Sequence, residues 1–181
     1  MKYLKYLFLL MFVVVAFLSC KKDDPTDPEP IDLAPFTIKI NGQEELNDGD
    51  IKEYTTTDDS SKMYLHIKNN TNEIMRLRIE VVEATQPVNA QAEICFGGQC
   101  RPNISGPDAQ GRTTTYPLGT ALMIDANKST EDGDSQNAND IHYSDTRPEN
   151  AEYKFEIYRV NEDLSKIETG LTFTYKYTYT P

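Results

Sequence analysis

Two cysteines flank a Gly-Gly pair in the stretch AEICFGGQC, as Cys95 and Cys100. A pair so placed can clasp a metal, cycle between thiol and disulfide, or staple a turn. A tetrahedral zinc site needs about four ligands from Cys, His, Asp or Glu. The chain has 3 cysteines and 2 histidines, His66 and His142, and no second cysteine pair. A redox pair usually encloses about two residues beside a βαβ pattern, and this one has no helical periodicity near it. Gly97 and Gly98 supply the positive φ that so tight a loop demands. The spacing is read as a structural disulfide, Cys95–Cys100, which stabilises by only about 2 kcal/mol because the loop it closes is short.

Oxygen-bearing residues gather further along. Asp125, Asn127, Ser129 and Glu131 alternate in DANKSTEDGD, the spacing by which a loop can wrap Ca²⁺. Thr130 occupies the sixth position, where an EF-hand-type loop wants Gly, and a solvated acidic loop is the plainer reading. His142, Ser144 and Asp145 stand together in DIHYSD. A nucleophile needs a base within hydrogen-bond reach and a third group to hold that base, a geometry that neighbours on a polar loop rarely reach. No catalytic residue is assigned, and the chain is read as a non-enzyme. Three Asn-x-Ser/Thr sites, at Asn69, Asn103 and Asn127, match the Asn-glycosylation pattern and are weak signals on their own. Tyr175, Tyr177 and Tyr179 share one strand face and are read as core filler rather than a sugar platform.

The N-terminus sets the address. Lys2 and Lys5 precede an uncharged apolar run, residues 6–18. This is the pattern of a signal peptide, and it is too short to span a bilayer, for which about 20 residues are needed. Phe17-Leu18-Ser19-Cys20 resembles the lipobox of bacterial lipoproteins, with Phe where Leu is usual. The resemblance implies cleavage after residue 19 and acylation of Cys20, and more than one acyl chain gives stable anchoring. Residues 20–35 are rich in Pro and acid and read as an extended tether. Lys22, Asp23 and Asp24 resemble the export signal of Bacteroidetes surface lipoproteins, which implies the outward face of the outer membrane. A periplasm-facing lipoprotein is the alternative. An overall charge of −11 repels nucleic acid and favours basic proteins, glycans or divalent cations as partners.

Residues 36–181 alternate with period two, which argues for an all-β domain. FTIKING places Phe36, Ile38 and Ile40 on one face and turns at Asn41-Gly42. KMYLHIKN offers Met63, Leu65 and Ile67 inward and leaves His66 outward. EIMRLRIEVVEA offers Met75, Leu77, Ile79 and Val81, and these two segments are expected to pair as a hairpin. TALMIDAN, AEYKFEIYRV and TGLTFTYKYTYT supply later strands. About seven strands in one domain suggest two antiparallel sheets packed face to face, most simply an immunoglobulin-like sandwich. Residues 105–115 and 127–150 lack core-forming alternation and read as long loops, the second a candidate for function.

The segment from Ile67 to Gly106 resembles an Ig-like domain common in secreted and surface proteins of Bacteroidetes. The match lies in Lys68-Asn69, the strand from Ile74 to Val82, and then Cys95, Phe96, Gly97, Cys100 and Pro102, with Phe96 where that domain usually has Trp. The resemblance implies a β-sandwich and carries over no functional site. The expected role is a non-catalytic binding or adhesion module for an extracellular protein or glycan. A structural accessory subunit of a surface complex is the alternative.

Overall fold

A computed structural model describes residues 34–56, 62–85, 92–102, 104–130, 139–143 and 150–179. The signal stretch, Cys20, Lys22, Asp23, Asp24, Asn103, Glu131, Ser144 and Asp145 lie outside the described residues.

Twelve strands and no helix occur among the described residues, in chain order β1 (Phe36–Ile40), β2 (Glu44–Leu46), β3 (Asp50–Thr56), β4 (Met63–Asn69), β5 (Met75–Thr85), β6 (Ala92–Phe96), β7 (Gln99–Pro102), β8 (Thr115–Tyr116), β9 (Leu122–Ile124), β10 (Asp140–Tyr143), β11 (Asn150–Arg159) and β12 (Leu171–Tyr179). One sheet has the order β2-β1-β4-β10-β6-β7; the other runs β3-β12-β11-β5-β8, with β9 also against β5. The all-β sandwich is as the alternation predicts. The count exceeds seven because β2 and β8 are too short to leave a periodic signal, and β3, β7 and β10 carry no run of alternating apolar residues.

Alternation determines the core. Ile38, Met63, Ile67, Ile94, Phe96 and Ile141 from the first sheet meet Leu77, Ile79, Val81, Tyr153, Phe155, Phe173, Tyr175 and Tyr177 from the second, all fully or almost fully buried. Each such side chain contributes about 1.5–3 kcal/mol relative to exposure. Phe155 and Phe173 are cross-strand partners with ring centroids 5.3 Å apart. A register shift between Lys154 and Phe155, opposite β5, changes the parity of that strand, so that Ala84 and not Glu83 packs on the core beyond Val81.

Three expectations fail. The segments expected to form a hairpin separate: β4 pairs with β1 and β10, while β5 pairs with β11, β8 and β9. The connection at residues 70–74 is a sheet-to-sheet corner, because the Asn69 side chain ties it to the end of β9. The second sheet is not wholly antiparallel, since β3 runs parallel to β12. Lys52 on β3 reaches Glu44 on β2 at 2.7 Å and ties the edges of the two sheets together. Finally, residues 127–150 are not all loop: β10 lies inside the first sheet between β4 and β6, with Ile141 fully buried.

Candidate functional site

The register of β10, β6 and β7 brings polar chemistry onto the outer face of the first sheet. Asp140 stands opposite Cys95, His142 opposite Glu93, and Cys95 opposite Cys100. Ile141, Ile94 and Phe96 point inward and are fully buried, so period two forces their neighbours outward. Cys95 and Cys100 are joined in a disulfide at a Cα separation of 3.9 Å. Gly97 and Gly98 form the turn at φ of 58° and 77°, the conformations that the tight spacing demands.

His142 lies between two carboxylates. Its Nδ1 is 2.6 Å from Asp140 Oδ1, and its Nε2 is 3.8 Å from Glu93 Oε2. The Asp140 side chain is only 2% exposed, that of His142 14% and that of Glu93 22%, so the ring is held in an enclosed setting. Hydrogen bonding to Asp140 fixes the ring and directs Nε2 at Glu93. Glu93 Oε1 lies 3.9 Å from Cys95 Sγ, a contact and not a hydrogen bond, since a disulfide sulfur carries no proton. Asn139, just before β10, accepts a hydrogen bond from Gly97 N at 3.0 Å through its side-chain oxygen and one from Leu65 N at 2.7 Å through its carbonyl. It fixes the hairpin tip to the sheet centre.

Among the described residues the carboxylates beside His142 are those of Asp140 and Glu93, and Asp145 of the DIHYSD reading lies outside them. No hydroxyl nucleophile stands against the ring among the described residues, and the nearby sulfurs are oxidised. Sequence reasoning singled out His142, Cys95 and Cys100 but missed Glu93 as a partner. Asp140 carries no assignment in the sequence analysis either. The i, i+2 spacing of Asp140 and His142 was the available signal, because it places both on one face of a strand.

Asp125, Asn127 and Ser129 lie on one stretch whose backbone is tied to the corner after β4, and Glu131 lies outside the described residues. The Asp125 carbonyl accepts from Asn69 Nδ2 at 3.0 Å and from Lys128 N at 3.1 Å. Asn127 adopts φ 58° and donates its side-chain amide to Asn72 Oδ1. Ser129 bridges Lys68, and Thr130 bonds the Ile67 backbone through its amide and its hydroxyl. Residues 125–130 thus form a seam along residues 67–72. Asn69 is fully buried with its amide spent on carbonyls, which removes it as a glycan acceptor. Tyr175 and Tyr177 are buried in the core, as the filler reading expects.

An open groove of 540 Å³ is lined by residues that include Pro35, Phe36, Leu46, Asp48, Arg159 and Glu168. Three of its four charged side chains, Asp48, Arg159 and Glu168, are already engaged, and the fourth, Glu45, is exposed. Arg159 pairs with Glu168 at 3.1 Å, and Asp48 accepts from Thr172 N and Oγ1, which hold its carboxyl below the usual range.

No family model matches the chain, and no curated protein matches it. Among solved structures it is similar to the N-terminal domain of PorA, with a TM-score of 0.51 and 15% identity over 80% of this chain and 97% of that one. It also aligns with PapD-like domain 7 of human CEP192, at TM-score 0.38 and 10% identity over 84% and 92% of the two chains. The CooA pilin subunit from enterotoxigenic Escherichia coli aligns at TM-score 0.40 and 11% identity over 82% and 100%. At such identities the likeness concerns the fold alone: an all-β, Ig-like sandwich.

Proposed function

We propose that the protein is a lipid-anchored, non-catalytic binding module that holds a rigid sandwich away from an outer membrane and contacts a protein or glycan through its loops. Anchoring rests on the lipobox-like stretch ending at Cys20 and on the Pro- and acid-rich tether after it. One observation favours loops over sheet faces as the contact surface. The outer face of the second sheet is covered by charges that satisfy one another, with Arg76 on Glu162 at 3.1 Å, Lys154 on Glu83 at 3.5 Å and Lys176 on Glu152 at 3.5 Å. The exposed large apolar residues Ile51, Tyr64, Ile74, Leu118, Met123 and Ile167 fall on separate elements instead of forming one sheet-face patch, and a contiguous patch is what an accessory subunit would bury.

Photo-crosslinking on intact cells tests this reading. Crosslinkers at the loop positions Gln110 and Lys128 should capture a partner, and those at Arg76 and Thr174 on the sheet face should not. The reverse pattern would replace the binding module with the accessory subunit. In the same cells Cys20→Ala should move the protein from the membrane to the soluble fraction, and retention in the membrane would refute the anchor.

A further inference from the structure

The outer face of β10, β6 and β7 also holds a metal-ligand set that the disulfide conceals. The sulfurs of Cys95 and Cys100 and the carboxylate of Glu93 lie within 4.8 Å of one another, the only such group of three among the described residues. A fourth donor stands outside that group, on the other side of Glu93: His142 Nε2, 3.8 Å from Oε2, which must close on the sulfurs when a metal binds. His142 Nδ1 is held by Asp140 at 2.6 Å. That is the carboxylate–imidazole arrangement which fixes a metal-binding histidine and presents its free nitrogen. These are the ligands whose absence argued against zinc from the cysteine spacing alone.

While the sulfurs are bonded to each other, the face offers only Glu93 and His142, too few for a closed site. Reduction changes the donor count from two to four. We propose that the reduced Cys95–Cys100 hairpin is a Zn²⁺ site, with both thiolates, Glu93 and His142 Nε2 as ligands and Asp140 as the positioning residue for His142. Two sulfurs, one nitrogen and one oxygen form a donor set that suits tetrahedral Zn²⁺.

The chemistry balances with an external dithiol as reductant. Its thiolate attacks Cys100 Sγ, which is exposed on the edge strand β7. The S–S bond breaks, and Cys95 leaves as thiolate. The second thiol of the reductant then displaces Cys100, and the reductant ends as its own disulfide, having supplied two electrons and two protons. Those protons leave when the thiols bind Zn²⁺. The sulfurs must then stand about 3.7 Å apart, the edge of a tetrahedron with Zn–S bonds of about 2.3 Å. Gly97 and Gly98 at the hairpin tip allow that adjustment.

The test uses the purified untagged chain, reduced with a phosphine that is then removed without oxygen, and titrated with Co²⁺ as a spectroscopic stand-in for Zn²⁺. Reduced protein should bind one equivalent, with thiolate-to-cobalt charge-transfer bands and tetrahedral d–d bands that Zn²⁺ abolishes; oxidised protein should give neither. His142→Ala and Glu93→Gln should each weaken binding at least tenfold and shift the d–d bands. Asp140→Asn should weaken it about tenfold without shifting them. Circular dichroism identifies any variant that fails to fold, and Glu93→Gln, near-isosteric and on the outer face, keeps the test decisive. The proposal is overturned if reduced wild type gives no charge-transfer band. It is equally overturned if His142→Ala and Glu93→Gln leave spectrum and affinity unchanged, which would mean a bare thiol pair.

Discussion

The amide nitrogen of Asn69 lies 3.0 Å from the carbonyl oxygen of Ile124, 55 residues away, and the same nitrogen reaches the carbonyls of Glu73 and Asp125 at 2.8 and 3.0 Å. Its side-chain oxygen accepts from Thr71 N and Oγ1. One fully buried side chain thus closes the corner where the chain leaves the first sheet for the second. Asn69→Ala would remove the donor from the buried Ile124 carbonyl and the part-buried carbonyls of Glu73 and Asp125; a buried group left unsatisfied costs about 1–3 kcal/mol, so a loss of about 3 kcal/mol is expected in urea denaturation. Asn69→Asp should do no better, because a carboxylate cannot donate to carbonyls. If Asp restored wild-type stability, the donor role of Nδ2 would be wrong.

Glu156 gives the stability an acid limb. Its side chain is largely buried on the outer face of β11, and Oε1 accepts from Lys166 Nζ at 2.7 Å and from Gly170 N at 2.8 Å. Burial pushes the carboxyl up, but the hydrogen bonds from Lys166 and Gly170 and the Lys166 charge outweigh it, and the net shift is below the ordinary 4.5. The folded state therefore binds fewer protons than the unfolded one as acid is added. The stabilisation is fully present above the unfolded value and is lost as pH falls through the depressed folded value. Glu156→Gln should lower the urea midpoint near neutral pH and converge with wild type in acid. A gap that stays constant with pH would exclude the ionised carboxylate as its source.

Much of this fold is legible in the sequence wherever a strand is long and half-buried. In β12, Phe173, Tyr175 and Tyr177 alternate with threonines and lysine, and in β5, Met75, Leu77, Ile79 and Val81 alternate with charges, so both faces can be read directly. β10 cannot be read this way because it is only four residues long and stands within a polar stretch. The split of β4 from β5 was hidden for a different reason: a polar turn between two alternating runs fits a hairpin and a sheet-to-sheet corner equally well. Only the distant carbonyls of Ile124 and Asp125 decide between them. At the site, the cysteines and His142 stand out by type. Glu93 acquires its meaning from the pairing of β6 with β10, which no local pattern encodes.

Tyr175 carries a hydroxyl in the wrong place for stability. The residue is fully buried, its hydroxyl has no hydrogen-bond partner among the described residues, and burial pushes its pKa far up. Its ring packs against Tyr54 at 5.3 Å. Tyr175→Phe keeps the ring and removes a desolvated polar group, so stability should be unchanged or rise by about 1 kcal/mol. Tyr175→Ala should lose about 3–5 kcal/mol as a cavity opens. If Phe proved destabilising by more than about 1 kcal/mol, the hydroxyl would have to be bonded after all.

The disulfide should contribute little to the fold. Cys95 and Cys100 are direct cross-strand neighbours five positions apart, so the bond closes a short loop and removes little freedom from the unfolded chain. The chain-entropy account gives about 2 kcal/mol. Much of what positions the hairpin is independent of it: β6 pairs with β10 over four residues, Phe96 is fully buried, and Asn139 holds Gly97 N at 3.0 Å. Cys95→Ser with Cys100→Ser should therefore give the same near-ultraviolet and far-ultraviolet circular dichroism as wild type, with a urea midpoint lowered by the equivalent of about 2 kcal/mol. Any partner captured through the loops should still be captured. A double variant that failed to fold would make the hairpin dependent on its bond, contrary to the contacts that β10 and Asn139 supply.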